Sequence, residues 1–343
     1  MTTDHASLAQ KRLRLGLYGP FVALVIFAGA WSAAWLWARG EAARRMDGAS
    51  IVVAQTGYGL TWTSRAFYGF PFRLDVNLTG ARFSAPSGWA VEAPALKAEA
   101  FVYAPGHWVA AAPQGLVITR PSGGAVTIGA RVLRASFSAA QAHPPRISLE
   151  ALGVSVTPVP GAAPVLVTAA EEVHLHTRAG PANQGAVYVE IDKARARLTG
   201  LLGRIAGGKP VSFAADAIFS HASALQGADW PSAVRAWRQA GGLLNVRMMR
   251  ASAGQVVVDA RAGALSVGSD GRLVGSLTAD IREAPRALAA MGQSGAIAPE
   301  AAGAAASVIG ARSHGQIATL TIDFQAGQTT LGPAAIGPAP RVY

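Results

Sequence analysis

The stretch Phe67–Ser84, FYGFPFRLDVNLTGARFS, carries the pattern that decides the fold. From Phe72 onward, apolar and polar residues alternate, which places the two kinds on opposite faces of an extended chain. The apolar set is Phe72, Leu74, Val76 and Leu78, and the polar set is Arg73, Asp75, Asn77 and Thr79. A period of two predicts a β-strand with one buried face. The four apolar residues are therefore candidates for a core face or for an apolar groove.

The same alternation continues on both sides of this strand. Short alternating segments, separated by Gly, Pro, Ser and Asn turns, run from Ile51–Ala54 to Ala186–Leu198. Neighbouring segments with short turns predict an antiparallel meander. Within residues 125–138 the apolar phase changes from even to odd positions, which predicts a β-bulge near Val132.

The second half of the chain adds helices to this pattern. Asp229 is a predicted N-cap, Pro231 suits a first helical turn, and Gly241-Gly242 ends the segment. Two further helices are predicted over Pro285–Met291 and Ala296–Ile309, and a closing hairpin over residues 320–331. The predicted class is mainly β with a few helices (α+β): a long meandering antiparallel sheet partly covered by short helices.

The N-terminus carries a long apolar run. Leu15–Ala38 is uncharged, follows three basic residues, and ends among three tryptophans. About 20 apolar residues cross a bilayer as a helix, and tryptophan favours the membrane interface. The run predicts a transmembrane signal-anchor helix. A cleavable signal peptide ending at Ala28-Gly29-Ala30 is the alternative, but the apolar run continues past that site.

The anchor sets the predicted domain organisation. Residues 1–14 form a cytoplasmic tail, 15–38 the transmembrane helix, 39–49 a juxtamembrane linker, and 50–343 an exported β-rich domain. This domain forms either one unit or two halves, 50–200 and 201–343. A short tail before the helix and some 300 residues after it predict that the large domain lies in a periplasm-like space.

Composition narrows the classes of partner. The formal charge is +11, but the basic residues are scattered singly, whereas nucleic-acid binders concentrate them on one patch. We therefore expect no nucleic-acid partner. A diffuse positive field favours anionic lipid headgroups or other acidic envelope material, but codon usage alone also explains an arginine-rich composition. The chain has no cysteine, which excludes disulfides, a cysteine zinc site and a cysteine nucleophile.

Candidates for chemistry are few and weak. His174 and His176 lie two apart on a predicted strand and share a face with Glu172, a spacing that metal ligands can use. A solvated outer strand face explains the same pattern. His107 and Trp108 follow Pro105-Gly106 in a predicted turn, where packing explains them as well. No nucleophile elbow or phosphate-binding loop motif occurs, so we predict no catalytic, cofactor or metal residues and no enzyme activity.

Several blocks resemble a known bacterial family. They include the motif G-[YF]-P-F-R, present as GFPFR at residues 69–73, the motif W-x-x-A-G-G at residues 237–242, and the ending TTLGPAAIGPAPRVY. The chain resembles domain-of-unknown-function family 2125 (DUF2125) over most of its length after the anchor. That family is similar in layout to AsmA-like envelope proteins, which have one inner-membrane helix and a β-rich periplasmic region. Some larger AsmA-like proteins are linked to phospholipid transport along an apolar groove.

The resemblance implies an envelope-maintenance module of the bacterial inner membrane and supplies no catalytic residue. Three functional hypotheses remain. The sheet contacts phospholipid or lipid-linked envelope material along an apolar face, or it is an adaptor that binds other envelope proteins without a lipid groove. An exported hydrolase is a minor alternative. The first two differ in whether the apolar sheet face is open or packed.

Overall fold

A computed structural model shows one long helix followed by a large antiparallel sheet. The structure describes residues 5–198, 206–227, 229–261, 263–283, 317–331 and 334–343, with isolated positions between 289 and 307. The predicted helices at 285–291 and 296–309 therefore lie outside the continuously described residues. The mainly β class predicted from the sequence is confirmed.

The described elements are two α-helices, one short 3-10 helix and nineteen strands. The helices are α1 (His5–Gln55) and α2 (Trp230–Gln239), with the 3-10 helix at Ala222–Ala224. The strands are β1 (Gly59–Thr61), β2 (Ser64–Tyr68), β3 (Arg73–Ser84), β4 (Ala90–Phe101), β5 (Trp108–Ala111), β6 (Leu116–Arg120), β7 (Gly124–Gly129), β8 (Val132–Ser138), β9 (Arg146–Pro158), β10 (Val167–Gly180), β11 (Gln184–Ala196), β12 (Val211–Phe219), β13 (Leu244–Ala253), β14 (Val256–Arg261), β15 (Gly263–Val267), β16 (Leu273–Arg282), β17 (Ile317–Gln325), β18 (Gln328–Leu331) and β19 (Ala334–Pro338).

The strands form one continuous antiparallel meander. β5 and β6 both pair with β4 and together form one interrupted strand. In the same way, β7 and β8 both pair with β9. β11 pairs with β12 across the predicted boundary at residue 200, so the sheet is continuous there. The predicted closing hairpin is present as β17 and β18.

A line of irregular positions crosses the first part of the sheet. The positions face one another in the strand register and are Gly80, Pro94, residues 112–115, residues 130–131, Gly153, Glu171 and Lys193. Gly80, Gly153 and Lys193 have positive φ angles of 57°, 62° and 44°. The predicted irregularity near Val132 is one of them. Irregularities of this kind bend a strand and increase its twist, so their alignment lets the broad sheet curve as a unit.

Helix α1 is longer than the sequence pattern indicates. It runs without a break to Gln55, so residues 39–49 are helical, and the strand predicted at Ile51–Ala54 is wrong. The β-branched residues there extend an existing helix, where each added residue gains a hydrogen bond without a new nucleation step. Glu41 pairs with Arg44 and Arg45 at 2.7 and 2.8 Å and supports this part of the helix. Residues after Ala38 carry the helix roughly 25 Å beyond the apolar run.

Helix α2 has the predicted ends and packs against the C-terminal part of the sheet. Asp229 accepts a 2.7 Å hydrogen bond from the Ser232 backbone N–H, and the Ser232 side chain completes a capping box. Trp237 is buried in a core cluster, and its Nε1 donates to the Ser220 carbonyl at 2.6 Å. The helix ends at Gln239 and is followed, after Ala240, by Gly241 with φ 81°.

Candidate functional site

Strand register places one apolar row across twelve strands. Directly paired residues share a sheet face, so pairing can be followed from strand to strand. The row is Val76, Ala98, Ala110, Ala135, Leu149, Leu175, Val189, Ala215, Met249, Ala260, Ala279 and Leu320. Every member is apolar. We call the sheet surface that carries this row the apolar face.

The row one residue further along lies on the opposite face. It is Asn77, Lys97, Ala111, Arg134, Glu150, His174, Glu190, Ala214, Arg250, Asp259, Asp280 and Thr319. Neighbouring side chains interact across the strands: Arg250 lies 3.4 Å from Asp259, and Thr319 donates to Asp280 at 2.7 Å. This polar face suits contact with water, so the two faces of the sheet meet different environments.

Along the row, well-buried residues lie only near the two ends of the sheet. Val76 under α1 is 3% exposed, and Ala260 and Ala279 near the C-terminal core are 0% exposed. Between them, Ala135, Leu149, Leu175 and Val189 of the row are only half-buried. We call this middle section, from β5 to β12, the open segment.

A groove lies between α1 and the first long strands, on the apolar face. Its volume is about 510 Å³. The strand side is lined by Leu74, Val76, Leu78, Ala98, Ala100 and Trp108, and the helix side by Trp37, Ala38, Glu41, Ala42, Arg45 and Met46. The size and the mainly apolar lining with a few charged groups at one side are typical of a small-molecule site.

Of the four apolar residues predicted to share one face, the three inside β3 are at least half-buried, and Phe72 before it is exposed. Leu74 and Val76 are buried, Leu78 is half-buried, and all three line the groove. Phe72 precedes β3, is 61% exposed, and its ring lies 6.3 Å from that of Trp31. It lies in the turn before β3, outside the paired strand, and its ring is beside α1.

Two tryptophans of α1 hold this turn. Trp31 Nε1 donates to the Pro71 carbonyl and Trp35 Nε1 to the Arg73 carbonyl, both at 2.8 Å. The Phe70 ring meets the Trp35 ring edge-on, with centroids 5.5 Å apart. Sequence reasoning assigned these tryptophans to the membrane interface alone and missed their role in docking the helix. The aromatic residues of GFPFR were the available signal.

Further along α1, an ion pair fixes the helix to β2. Arg65 makes a bidentate contact to Asp47, with distances of 2.8 and 3.1 Å. The Arg65 guanidinium also stacks over Trp62 and Phe67, at 5.4 and 5.5 Å from the ring centroids. The hydrogen bonds from Arg65 lower the pKa of Asp47. The charged group that binds Asp47 is thus held in place by two aromatic rings.

The predicted histidine pair lies on the polar face. The His174 and His176 rings stack at 6.1 Å, and His174 Nε2 lies 3.3 Å from Glu172. Beside them, the Tyr188 hydroxyl donates to Glu190 at 2.8 Å, which raises the pKa of Tyr188. Within the described ranges, no group of three or more His, Asp or Glu residues is placed to hold a metal ion.

Of the candidates His107 and Trp108, only Trp108 lines the groove. His107 is exposed in the turn before β5. Trp108 is half-buried, its ring lines the groove, and its Nε1 donates to the Pro105 carbonyl at 3.0 Å. The structure therefore separates these two neighbours, and only the tryptophan reaches the apolar face.

Comparison with known proteins gives one family. The model of the family described as "Uncharacterized protein conserved in bacteria (DUF2125)" matches residues 35–340. The chain belongs to the DUF2125 family. No curated protein and no solved structure matches it. The similarity in layout to AsmA-like proteins is not confirmed by these comparisons.

The motifs that carried the DUF2125 resemblance have structural explanations. GFPFR forms the turn that receives Trp31 and Trp35 of α1. In the W-x-x-A-G-G motif, a Cβ on Gly242 would lie 2.2 Å from the Trp237 ring. Both motifs therefore serve helix docking in this DUF2125 protein.

Proposed function

We propose that this DUF2125 protein is a single-pass inner-membrane protein that binds acyl chains of phospholipid or lipid-linked envelope material on the periplasmic side. The observation that carries the proposal is the twelve-strand apolar row with its half-buried middle. Apolar surface left in water costs about 25 cal/mol per Å². Contiguous apolar surface of this kind marks an interaction site, so the open segment is the surface that we assign to lipid.

The dimensions of the open segment suit an extended acyl chain. Six row residues, from Ala110 on β5 to Ala215 on β12, lie side by side on six neighbouring strands of the sheet. At about 4.8 Å between strands, they span roughly 24 Å. One leaflet contributes roughly 15 Å of a 30 Å hydrocarbon core. The segment is thus long enough to hold an acyl chain laid across the strands.

The position of the groove supports entry from a membrane. Helix α1 has the length and composition to span a bilayer. Trp37 and Ala38, at the end of its uncharged run, line the groove on the apolar face. A lipid leaving the bilayer along the helix would therefore meet the groove first and the open segment next. The net charge of +11 favours anionic headgroups at the same surface.

Site-specific photo-crosslinking tests the lipid-binding proposal. A benzophenone amino acid is placed at Leu149 or Leu175 on the apolar face of the full-length protein, in its native membrane. The matched controls are Glu150 and His174, which are adjacent in sequence and lie on the polar face. We expect phospholipid adducts, identified by mass spectrometry, from Leu149 and Leu175 only.

Three results would contradict the proposal. Protein adducts in place of lipid adducts at Leu149 and Leu175 would favour the anchored adaptor. Equal lipid adducts from both faces would mean that capture is not specific to the apolar face. Absence of adducts from all four positions would show that lipid does not reach the sheet.

The periplasmic location has its own test. Alkaline phosphatase folds and acts only after export, so we expect activity when it is fused after Tyr343. A fluorescent protein that requires the cytoplasm should stay dark at the same position. The reverse pattern would place the sheet in the cytoplasm and overturn this part of the proposal.

A further inference from the structure

A cluster of exposed aromatic side chains lies at the end of the sheet nearest the apolar part of α1. Its members are Tyr68 and the two phenylalanines of the β2–β3 turn, Phe70 and Phe72, followed by Phe101 and Tyr103 at the β4–β5 turn. The Val102 backbone N–H donates to the Phe72 carbonyl at 3.0 Å, which joins the two turns. Phe101 and Tyr103 stack at 5.0 Å. We call these five residues the aromatic edge.

The aromatic edge is strongly exposed for large apolar side chains. Phe72 and Tyr103 are 61% and 69% exposed, and Phe70 is 56% exposed. Isolated exposed aromatics are ordinary, but a contiguous group indicates an interaction surface. Tyrosine side chains are stabilised where hydrocarbon meets water, and phenylalanine side chains bury into the adjacent acyl boundary.

The contacts with α1 fix the position of the aromatic edge along the helix axis. Trp31 and Trp35 donate hydrogen bonds to carbonyls at the β2–β3 turn. Both tryptophans lie inside the uncharged run that ends at Ala38. At 1.5 Å per residue, they precede the first following charge, Arg39, by about 12 and 6 Å along the helix axis. The turn is therefore held beside helix residues that belong to the membrane, and it cannot stay clear of the bilayer while these hydrogen bonds exist.

We infer that the aromatic edge inserts into the interface of the phospholipid bilayer that α1 spans, as a second membrane contact. The inference rests on the proposed membrane-spanning helix. It extends that proposal because the sheet itself touches lipid and the neighbouring groove begins at the bilayer surface. Phe101, a member of the edge, also lines the groove. The bilayer that surrounds the apolar part of α1 is thus also the partner that covers the aromatic edge.

The absence of native cysteine allows a direct depth measurement. Single cysteines replace Phe72 or Tyr103 in the full-length protein and are labelled with an environment-sensitive fluorophore. The protein is placed in vesicles of phosphatidylethanolamine and phosphatidylglycerol, with or without lipids that carry a quencher either just below the headgroup or deep in the acyl chain. Val25→Cys in α1 reports the anchor, and Phe83→Cys at the other end of β3 is the matched sheet control.

We expect labels at positions 25, 72 and 103 to lose most of their emission with the quenching lipids, and the label at 83 to keep it. Quenching at 25 without quenching at 72 and 103 would overturn this inference and leave the anchor intact. No quenching at 25 would overturn the anchor together with the inference. Quenching at all four positions would show that the edge has no special contact. Because residues 72 and 103 are exposed, the substitutions preserve the fold, and circular dichroism checks this.

Discussion

Trp35 and Arg73 are 38 residues apart in the chain and are joined by a 2.8 Å hydrogen bond from the indole Nε1 to the Arg73 carbonyl. Trp35 is 6% exposed, although most other described side chains in the apolar part of this helix are exposed. The bond links the helix to the first residue of β3, which carries the groove residues. The position of the groove relative to the apolar run of α1 is therefore fixed by this contact and its neighbours.

The first prediction concerns this hydrogen bond. Trp35→Phe keeps an aromatic ring but leaves the Arg73 carbonyl without its indole donor, so we expect the free energy of unfolding to fall by about 1–3 kcal/mol. Trp37→Phe is the control, because Trp37 is 67% exposed and two residues away. Thermal unfolding of the full-length protein in detergent measures both. Equal melting temperatures for the two variants would contradict a docking role for Trp35.

The second prediction concerns pH. Arg65 lowers the pKa of Asp47 below its ordinary value of 3.8. A lowered folded-state pKa stabilises the folded form above the ordinary value, and this contribution is lost as pH falls through the folded-state pKa. We therefore expect contact between α1 and β2 to weaken below pH 3.8, measured as faster proteolysis of the 56–64 segment by an acid-active protease.

Asp47→Asn is the control for this pH effect. It removes the charge at every pH, so its proteolysis rate should be raised already at neutral pH and should change less on acidification. If the proteolysis rate of the variant rises on acidification as steeply as that of the wild type, another group causes the acid sensitivity. High salt should weaken the wild-type contact in the same direction, since Asp47 is largely exposed.

The third prediction tests the two faces of β3. Val76→Asp places a charge at a position that is 3% exposed, under α1 and beside the groove. We expect a loss of about 3–5 kcal/mol in the free energy of unfolding. Asn77→Asp, one residue along and on the polar face, should change it by about 0.5 kcal/mol or less. Denaturant melts compare the two, and similar losses would disprove the assignment of the faces.

The fourth prediction concerns the glycine behind Trp237. Gly242→Ala forces a methyl group to within 2.2 Å of the Trp237 ring unless the ring moves. We expect a loss of about 1–3 kcal/mol from overpacking. Gly106→Ala is the control, since a Cβ there meets nothing within 4 Å. If both variants unfold at the same denaturant concentration, the close packing of Gly242 has no energetic consequence.

Much of the fold follows from local pattern. Alternation predicted the strands and the one-sided character of β3, and the capping residues predicted both ends of α2. These features depend on neighbouring residues, and their physical causes act over a few positions. The strand begins at Arg73, one residue later than the alternation predicted, because Phe72 still lies in the turn. The strand predicted at Ile51–Ala54 was wrong because β-branched residues favour strands unless an existing helix extends through them.

The candidate site was only partly predictable for the same reason. Leu74, Val76 and Leu78 were recognised as one face, but nothing local shows what covers that face. The apolar row joins residues as far apart as Val76 and Leu320, and it exists only because twelve strands pair in one register. A shift of one residue in any pairing would exchange the apolar and polar faces beyond it.

By itself, the sequence determined that this protein has an apolar N-terminal helix, a one-sided meandering sheet and no cysteine chemistry, because composition and short-range periodicity encode these properties. Only the tertiary structure decided that the sheet is continuous and that α1 covers its first strands while the open segment is half-buried. It also placed the turn at Phe70 and Phe72 beside the apolar N-terminal helix. These features depend on long-range pairing and on hydrogen bonds such as Trp35 to Arg73, which no local pattern specifies.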